Sequence, residues 1–102
     1  MTHQLVFQFE ASTEQDFRSL VELSEAVREA LPDSAILDGH DFGLGEFNIF
    51  IHTSDPESLF EPVCNTIAKV QPELAFSAGY RNFEEDRYTA LWPPNSTTFS
   101  VA

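Results

Sequence analysis

The chain has 102 residues, of which 42% are hydrophobic and ten are phenylalanine. That length fits one domain and leaves no room for two, and the aromatic content predicts a packed core rather than a disordered chain. Seventeen acidic residues against five basic ones give a formal charge of −12. Such a field repels phosphate backbones, so we expect no nucleic-acid partner, whereas a basic protein would be attracted. Acidity of this kind is also typical of proteins that need it only for solubility.

Cys64 is the only cysteine, which excludes an internal disulfide and a CxxC site. We expect this thiol to be buried and inert, because no basic residue is near it in the sequence. The N-terminal residues lack the basic region and the apolar stretch of a signal peptide. Nothing in the chain approaches the roughly 18 apolar residues of a membrane helix. The sequence therefore predicts a cytoplasmic protein with no membrane partner and no cofactor.

The first half of the chain predicts a strand, a helix and a hairpin. Residues 4–9 alternate between apolar and polar, which is typical of a half-buried strand. Residues 12–16 offer two overlapping capping boxes, and helically spaced apolar residues follow as far as Leu31, before Pro32 ends the helix. Residues 34–42 and 46–53 read as two strands joined at Gly43–Gly45, where glycine permits positive φ angles.

The second half predicts a second helix and two further strands. Ser54, Asp55 and Pro56 supply a helix start, but Pro62 removes an interior helical hydrogen bond, so we expect a kink there or a short turn before the main helix. Residues 74–81 alternate again and predict a fourth strand, and residues 87–92 predict a fifth. Residues 95–102 form a polar C-terminal tail, expected to be loose, although Phe99 and Val101 could pair with a sheet edge.

The order of these elements predicts an α+β fold over residues 1–94. It corresponds to a ferredoxin-like βαββαβ sandwich, in which two helices cover one face of an antiparallel sheet, with an extra C-terminal strand. Domains of this fold carry many unrelated activities, so the fold by itself predicts no function.

We expect a functional site, if there is one, on the sheet face away from the helices. If the hairpin turns at residues 43–45, alternation places a mixed set of side chains on this open face. The set from the two hairpin strands is Ile36, Asp38, His40, Phe42, Glu46, Asn48, Phe50 and His52, and the neighbouring strands add Gln8, Glu10 and Arg81.

Three interpretations of this face remain open. Asp38, His40, Glu46 and His52 are residue types that bind a divalent metal such as zinc or iron. Alternatively, an apolar contact surface is formed by Ile36, Phe42 and Phe50. The third interpretation is a solvated sheet face with pairs such as His–Asp. Trp92, beside two prolines, is either a docking residue or a side chain folded onto its own core.

Two segments resemble a pattern found in small bacterial proteins to which no activity is attached. They are Asp38-Gly39-His40-Asp41-Phe42-Gly43-Leu44-Gly45-Glu46-Phe47-Asn48-Ile49-Phe50 and Tyr88-Thr89-Ala90-Leu91-Trp92-Pro93. The resemblance implies that Asp38, Gly39, Gly45, Glu46 and Asn48 act together. Turn geometry is one reason for that, with glycine at a positive φ and Asp or Asn side chains satisfying backbone groups.

The sequence therefore favours a non-enzymatic binding protein that uses the open sheet face. Its partner would be a second copy of the chain or a basic protein, as for an inhibitor or a toxin-neutralising immunity protein. The interface candidates are Ile36, Phe42, Phe50 and Trp92. The alternative is a domain, or a minor enzyme, that binds a small molecule or a divalent metal at the central hairpin. The ligand candidates are Asp38, His40, Glu46, Asn48, His52 and Arg81.

Overall fold

The computed structural model describes residues 1–101 and has the α+β architecture that the sequence predicts. The elements are β1 (His3–Glu10), α1 (Glu14–Ala30), β2 (Ala35–Gly43), β3 (Glu46–Thr53), α2 (Pro56–Val70), β4 (Ser77–Asn82) and β5 (Thr89–Trp92). The five strands form one sheet in the order β2-β3-β1-β4-β5, and every neighbouring pair is antiparallel. β1 is therefore the central strand, and β2 and β5 are the two edges.

Helix α1 begins where the second of the two predicted capping boxes lies. The Thr13 hydroxyl accepts a hydrogen bond from the Asp16 backbone N–H, and the Asp16 carboxylate accepts from the Thr13 N–H. The N–H of Ser12 donates to the same carboxylate at 3.0 Å. These backbone donors lower the pKa of Asp16. The helix ends at Ala30, just before Pro32, as expected.

The β2–β3 hairpin turns through only two residues, Leu44 and Gly45. Their φ angles are +55° and +80°, which is the type I′ geometry that matches the twist of a two-residue hairpin. Glycine adopts a positive φ without cost, but leucine does not. Leu44 is also 87% exposed, so no burial offsets this conformation. The predicted turn is confirmed, and Leu44 is the residue whose backbone is strained in it.

Helix α2 is continuous from Pro56 to Val70 and passes through Pro62. The separate short turn that the sequence suggested before the main helix does not occur. The Asp55 carboxylate caps the helix by accepting from the Ser58 N–H at 3.2 Å. The stabilisation from this cap and from the buried apolar face of the helix is therefore larger than the cost of the one hydrogen bond that Pro62 cannot donate.

Both helices pack on the same face of the sheet, here called the helix face. The core joins alternate residues of β1 and β3 to one side of each helix: Leu5, Phe7, Phe9, Phe47, Ile49 and Ile51 meet Leu20, Leu23, Val27, Leu59, Val63 and Ile67. Phe7 is stacked on Phe60 of α2 at 5.8 Å between ring centroids. Full burial of each such side chain contributes about 2–3 kcal/mol. Neither helix within residues 1–101 is long and apolar enough to cross a membrane.

The C-terminal segment, residues 95–101, is not loose. It lies on the opposite side of the sheet, here called the far face, where Phe99 contacts Gly79. Gln8 Nε2 donates to the Ser100 carbonyl at 2.9 Å. Val6 has no exposed surface, although its register partners, Phe50 and Gly79, mark it as a far-face residue. The segment therefore covers the part of the far face above β1 and β4.

Candidate functional site

A β-bulge in β2 decides which of its side chains share a face. Ile36 pairs with His52, but the register shifts between Leu37 and Gly39, so that Gly39 pairs with Phe50. An extra residue in one strand reverses the alternation beyond it. His40 and Phe42 consequently pair with Ile49 and Phe47, on the helix face. Their predicted position on the far face is wrong, and Asp41 takes that position instead.

His40 and Phe42 join an aromatic group beside the start of α1. The His40 ring is stacked on Phe47 at 4.9 Å between centroids, with an interplanar angle of 15°. The Phe42 ring lies 5.1 Å from Phe17. These contacts place both residues at the end of the core between α1 and the hairpin, where the His40 side chain and 42% of Phe42 stay exposed.

The predicted metal ligands are consequently divided between the two faces. His52 Nε2 lies 3.6 Å from Asp38 Oδ2, which is the His–Asp pair that the sequence suggested for a solvated face. His40 lies on the helix face and cannot join this pair. Within residues 1–101, no group of three His, Cys, Asp or Glu side chains could hold a metal ion. The geometry does not support the metal interpretation of these residues.

Asn48 lies at the centre of a polar network on the far face. It is only 1% exposed, and its Nδ2 donates to Asp41 at 3.0 Å and to Glu46 at 3.1 Å. Its Oδ1 accepts from Gln8 Nε2 at 3.0 Å. A buried amide is tolerated only when its donors and acceptors are satisfied. The network therefore fixes the register of β1, β2 and β3, and it brings together Glu46 and Asn48, two of the residues that the sequence resemblance grouped.

A cleft of about 660 Å³ opens beside this network, at the end of β1. We call it the hairpin cleft, and its lining is Gln8, Phe9, Glu10, Gly45, Glu46, Leu74, Ala75, Phe76 and Ser77. Glu10 and Glu46 are direct register partners in the β1–β3 pair. The cleft thus combines carboxylate oxygens with an apolar wall.

An uncovered apolar surface lies on the other half of the far face, above β2 and β3. Ile36 is 56% exposed and Phe83 is 39% exposed. Between them lies His52, whose ring is 4.8 Å from Phe83 and whose register partner is Ile36. Phe50 lies further along β3, opposite Gly39. We call Ile36, Asp38, Phe50, His52 and Phe83 the β2–β3 patch.

Arg81 borders this patch and holds the loop that carries Phe83. Its Nη1 donates to the Glu85 carbonyl at 3.0 Å, and its guanidinium lies 5.9 Å from the centroid of the Phe83 ring and 5.8 Å from that of Tyr88. The guanidinium is therefore engaged within its own chain, and Arg81 positions Phe83.

Trp92 lies far from the patch, at the β5 edge of the sheet. Its ring centroid is 6.1 Å from that of Phe60 and 6.1 Å from that of Phe76. Its ring thus contacts two aromatic residues at the border of the core, in line with the second of the two interpretations, while 38% of Trp92 stays exposed. Of the four predicted interface residues, the structure groups Ile36 and Phe50 and separates Phe42 and Trp92. Phe83, which was not among the predicted interface residues, belongs to the patch.

Cys64 is half-buried on α2. Burial of the thiol, followed by the nearby negative charge of Glu61, raises its pKa to about 11. A thiol with so high a pKa carries little thiolate near neutral pH, so it is a poor nucleophile.

Comparison of the chain with protein-family models finds no match, and neither does a search of curated proteins. The resemblance of the hairpin and Trp92 segments to small bacterial proteins therefore stays a prediction.

Proposed function

We propose that this protein is a non-enzymatic binding protein whose β2–β3 patch docks onto a basic protein. The observation that carries the proposal is the exposure of Ile36 and Phe83 on a sheet face whose other half is covered by the chain's own C-terminal segment. Apolar side chains that lie together on a surface, with polar groups around them, are typical of a protein interface.

Charge favours a basic partner over a second copy of the chain. The formal charge of −12 makes two copies repel each other, and it attracts a positively charged surface. The exposed carboxylate of Asp38 lies within the patch, and that of Asp41 follows it along β2. Charged groups around an apolar centre give an interface its orientation and its association rate. An inhibitor or immunity protein, which neutralises a basic enzyme by covering it, has this chemistry.

The proposal assigns the chain to the ferredoxin-like arrangement. The order β2-β3-β1-β4 with both helices on one face supports it, and β5 is then an addition at the β4 edge. In that arrangement the far face is free for partners, and here the C-terminal segment leaves only the β2–β3 half uncovered. The protein would act in the cytoplasm, where its single thiol stays reduced.

Affinity capture with matched variants tests this proposal. Tagged full-length chain is produced in its own host cells as wild type, Ile36→Asp and Leu44→Asp. Leu44 is an exposed apolar residue at the hairpin tip, outside the patch, so its variant controls for the added charge. We expect a basic protein with the wild type and with Leu44→Asp, and at least a roughly tenfold weaker affinity of the purified partner for Ile36→Asp.

The salt dependence of partner binding and the oligomeric state of the chain complete that experiment. Affinity for the purified partner should fall as salt rises, because the attraction is partly electrostatic. Equal recovery of the partner by all three chains would reject the patch. A dimer of the chain that Ile36→Asp dissociates, with no second polypeptide, would replace the basic partner with a second copy.

A second candidate function is small-molecule binding in the hairpin cleft. The facing carboxylates of Glu10 and Glu46, beside the ring of Phe76, suit a ligand with an amine and an apolar body. A panel of primary amines is screened by thermal shift, with Glu10→Gln as the variant. A saturable rise in Tm that Glu10→Gln removes would support this function, and a panel without any such rise would reject it.

A further inference from the structure

The far face carries a socket for an aromatic ring, built on Gly79. A Cβ atom at residue 79 would lie 2.6 Å from Cδ2 and from Cγ of Phe99, and 2.9 Å from its Cβ. Real Cβ atoms do not approach carbon this closely, since van der Waals contact between carbons begins near roughly 3.5 Å. The Phe99 ring therefore lies directly on the backbone of β4, in a space that exists only because residue 79 is glycine.

Tyr88 and Gln8 complete the walls of this socket. The Tyr88 ring meets Phe99 edge to face, at 5.3 Å between centroids. The Tyr88 hydroxyl in turn donates to Gln4 Oε1 at 2.8 Å, which fixes the wall to the central strand. Gln8 Nε2 donates to the Ser100 carbonyl at 2.9 Å. The socket thus binds one aromatic side chain and the backbone carbonyl of the residue that follows it.

The segment that fills this socket is attached at few points. Residues 95–101 form no strand, and among the described residues no backbone hydrogen bond joins 97–101 to the sheet. A cleft of about 460 Å³ remains between this segment and residues 86–88. Burial of one ring opposes the entropy lost by ordering several backbone residues. The segment is therefore held chiefly by the Phe99 ring and the Ser100 carbonyl.

We infer that the socket is a peptide-binding site, and that residues 97–101 are its resident, exchangeable ligand. The ligand class is a peptide with an aromatic residue at the position of Phe99 and, in the next residue, a backbone carbonyl that accepts a hydrogen bond from Gln8. When such a peptide is present in trans, it replaces the chain's own segment. This inference does not depend on the β2–β3 patch or on its partner.

A synthetic peptide of residues 95–101 tests the inference with the full-length chain. In Phe99→Ala the socket is vacant, so the peptide should bind saturably and shift the NMR signals of Gly79 and Tyr88. A peptide with alanine in place of its phenylalanine should bind at least about tenfold more weakly, and so should the wild-type chain, whose socket is filled. Addition of Gly79→Ala to Phe99→Ala should abolish binding, because the new Cβ occupies the socket.

Other outcomes would overturn the inference. They are a well-dispersed Phe99→Ala spectrum with no peptide binding, equal binding of both peptides, or shifts outside the socket. If Phe99→Ala does not fold, the wild type is titrated with the peptide, and the Phe99 signals should move toward their free positions; signals that stay unchanged would reject exchange. Ile36→Asp should leave peptide binding unaltered, so failure here is distinct from failure of the proposed function.

Discussion

The side-chain amide of Asn48 donates a 3.0 Å hydrogen bond to the carboxylate of Asp41, across the β2–β3 pairing. The two residues share a face only because the bulge between Leu37 and Gly39 reverses the alternation of β2. The same reversal turns His40 and Phe42 toward α1. One extra residue in the edge strand thus builds the polar network and divides the metal ligands that the sequence suggested.

The first prediction concerns the stability that Asn48 gives to the three-strand network. Asn48→Ala removes the donor to Asp41 and the acceptor of Gln8, and it should lower the free energy of unfolding by about 1–3 kcal/mol. Urea denaturation measures this change. Asn95→Ala, at an exposed amide, is the control and should change stability by less than about 0.5 kcal/mol. Equal effects of the two substitutions would show that the network contributes nothing.

The second prediction concerns the backbone strain at Leu44. Leu44→Asn should raise the free energy of unfolding by about 1 kcal/mol, because asparagine tolerates the left-handed conformation that leucine adopts here. Leu44→Val should lower it, since a branched Cβ fits this conformation worst. Chemical denaturation of the three chains provides the comparison. The reverse order of stability would contradict the type I′ turn.

The third prediction concerns the reactivity of Cys64. Its pKa of about 11 should make alkylation by iodoacetamide near neutral pH roughly 100-fold slower than for an ordinary thiol. The rate should rise with pH up to that value. The urea-unfolded chain is the control, and it should react at the ordinary rate. Fast alkylation of the folded chain would show that the thiol is neither desolvated nor influenced by Glu61.

The fourth prediction concerns pH and the carboxylate of Asp16. Its pKa is lowered in the folded state by the N–H groups of Ser12 and Thr13. A group with a depressed folded pKa stabilises the protein above its unfolded pKa, and this contribution disappears as pH falls through the folded value. Asp16→Asn should therefore lower Tm near neutral pH, and the difference from wild type should shrink on acidification.

Asp33→Asn is the control for the Asp16 experiment, because the Asp33 carboxylate lies outside the helix cap. Its effect on Tm should be smaller near neutral pH. A difference between Asp16→Asn and wild type that grows toward acid would contradict the hydrogen bonds of the capping box.

The sequence predicted those elements whose signals are local. The capping box at Thr13 and Asp16, the strand over 46–53 and the turn at Gly45 depend on residues close together in the chain. The bulge near Gly39 has a weak local signal, a single glycine within a strand, but its effect on the alternation depends on the pairing of two strands. The side chains that follow the bulge in β2, those of His40 and Phe42, were therefore assigned to the wrong face of the sheet.

The candidate site was predicted less completely, for the same physical reason. Ile36 and Phe50 were named, but Phe83 joins them through a loop that Arg81 holds, and a polar, acidic loop gives no sign of that contact. Similarly, the C-terminal tail is polar in sequence, but the fit of Phe99 onto Gly79 and the hydrogen bond from Gln8 to the Ser100 carbonyl bring it to the sheet. The β2–β3 patch and the covered half of the far face are both formed by contacts between residues that are distant in sequence.

Methyl NMR of the isoleucines tests the central claim most directly. Ile36 is exposed, whereas Ile49, Ile51 and Ile67 are buried in the core. Titration with the purified basic partner should shift the Ile36 δ1 methyl signal saturably and leave the three core methyl signals almost unchanged. A partner that binds without moving the Ile36 signal would contradict docking at the β2–β3 patch.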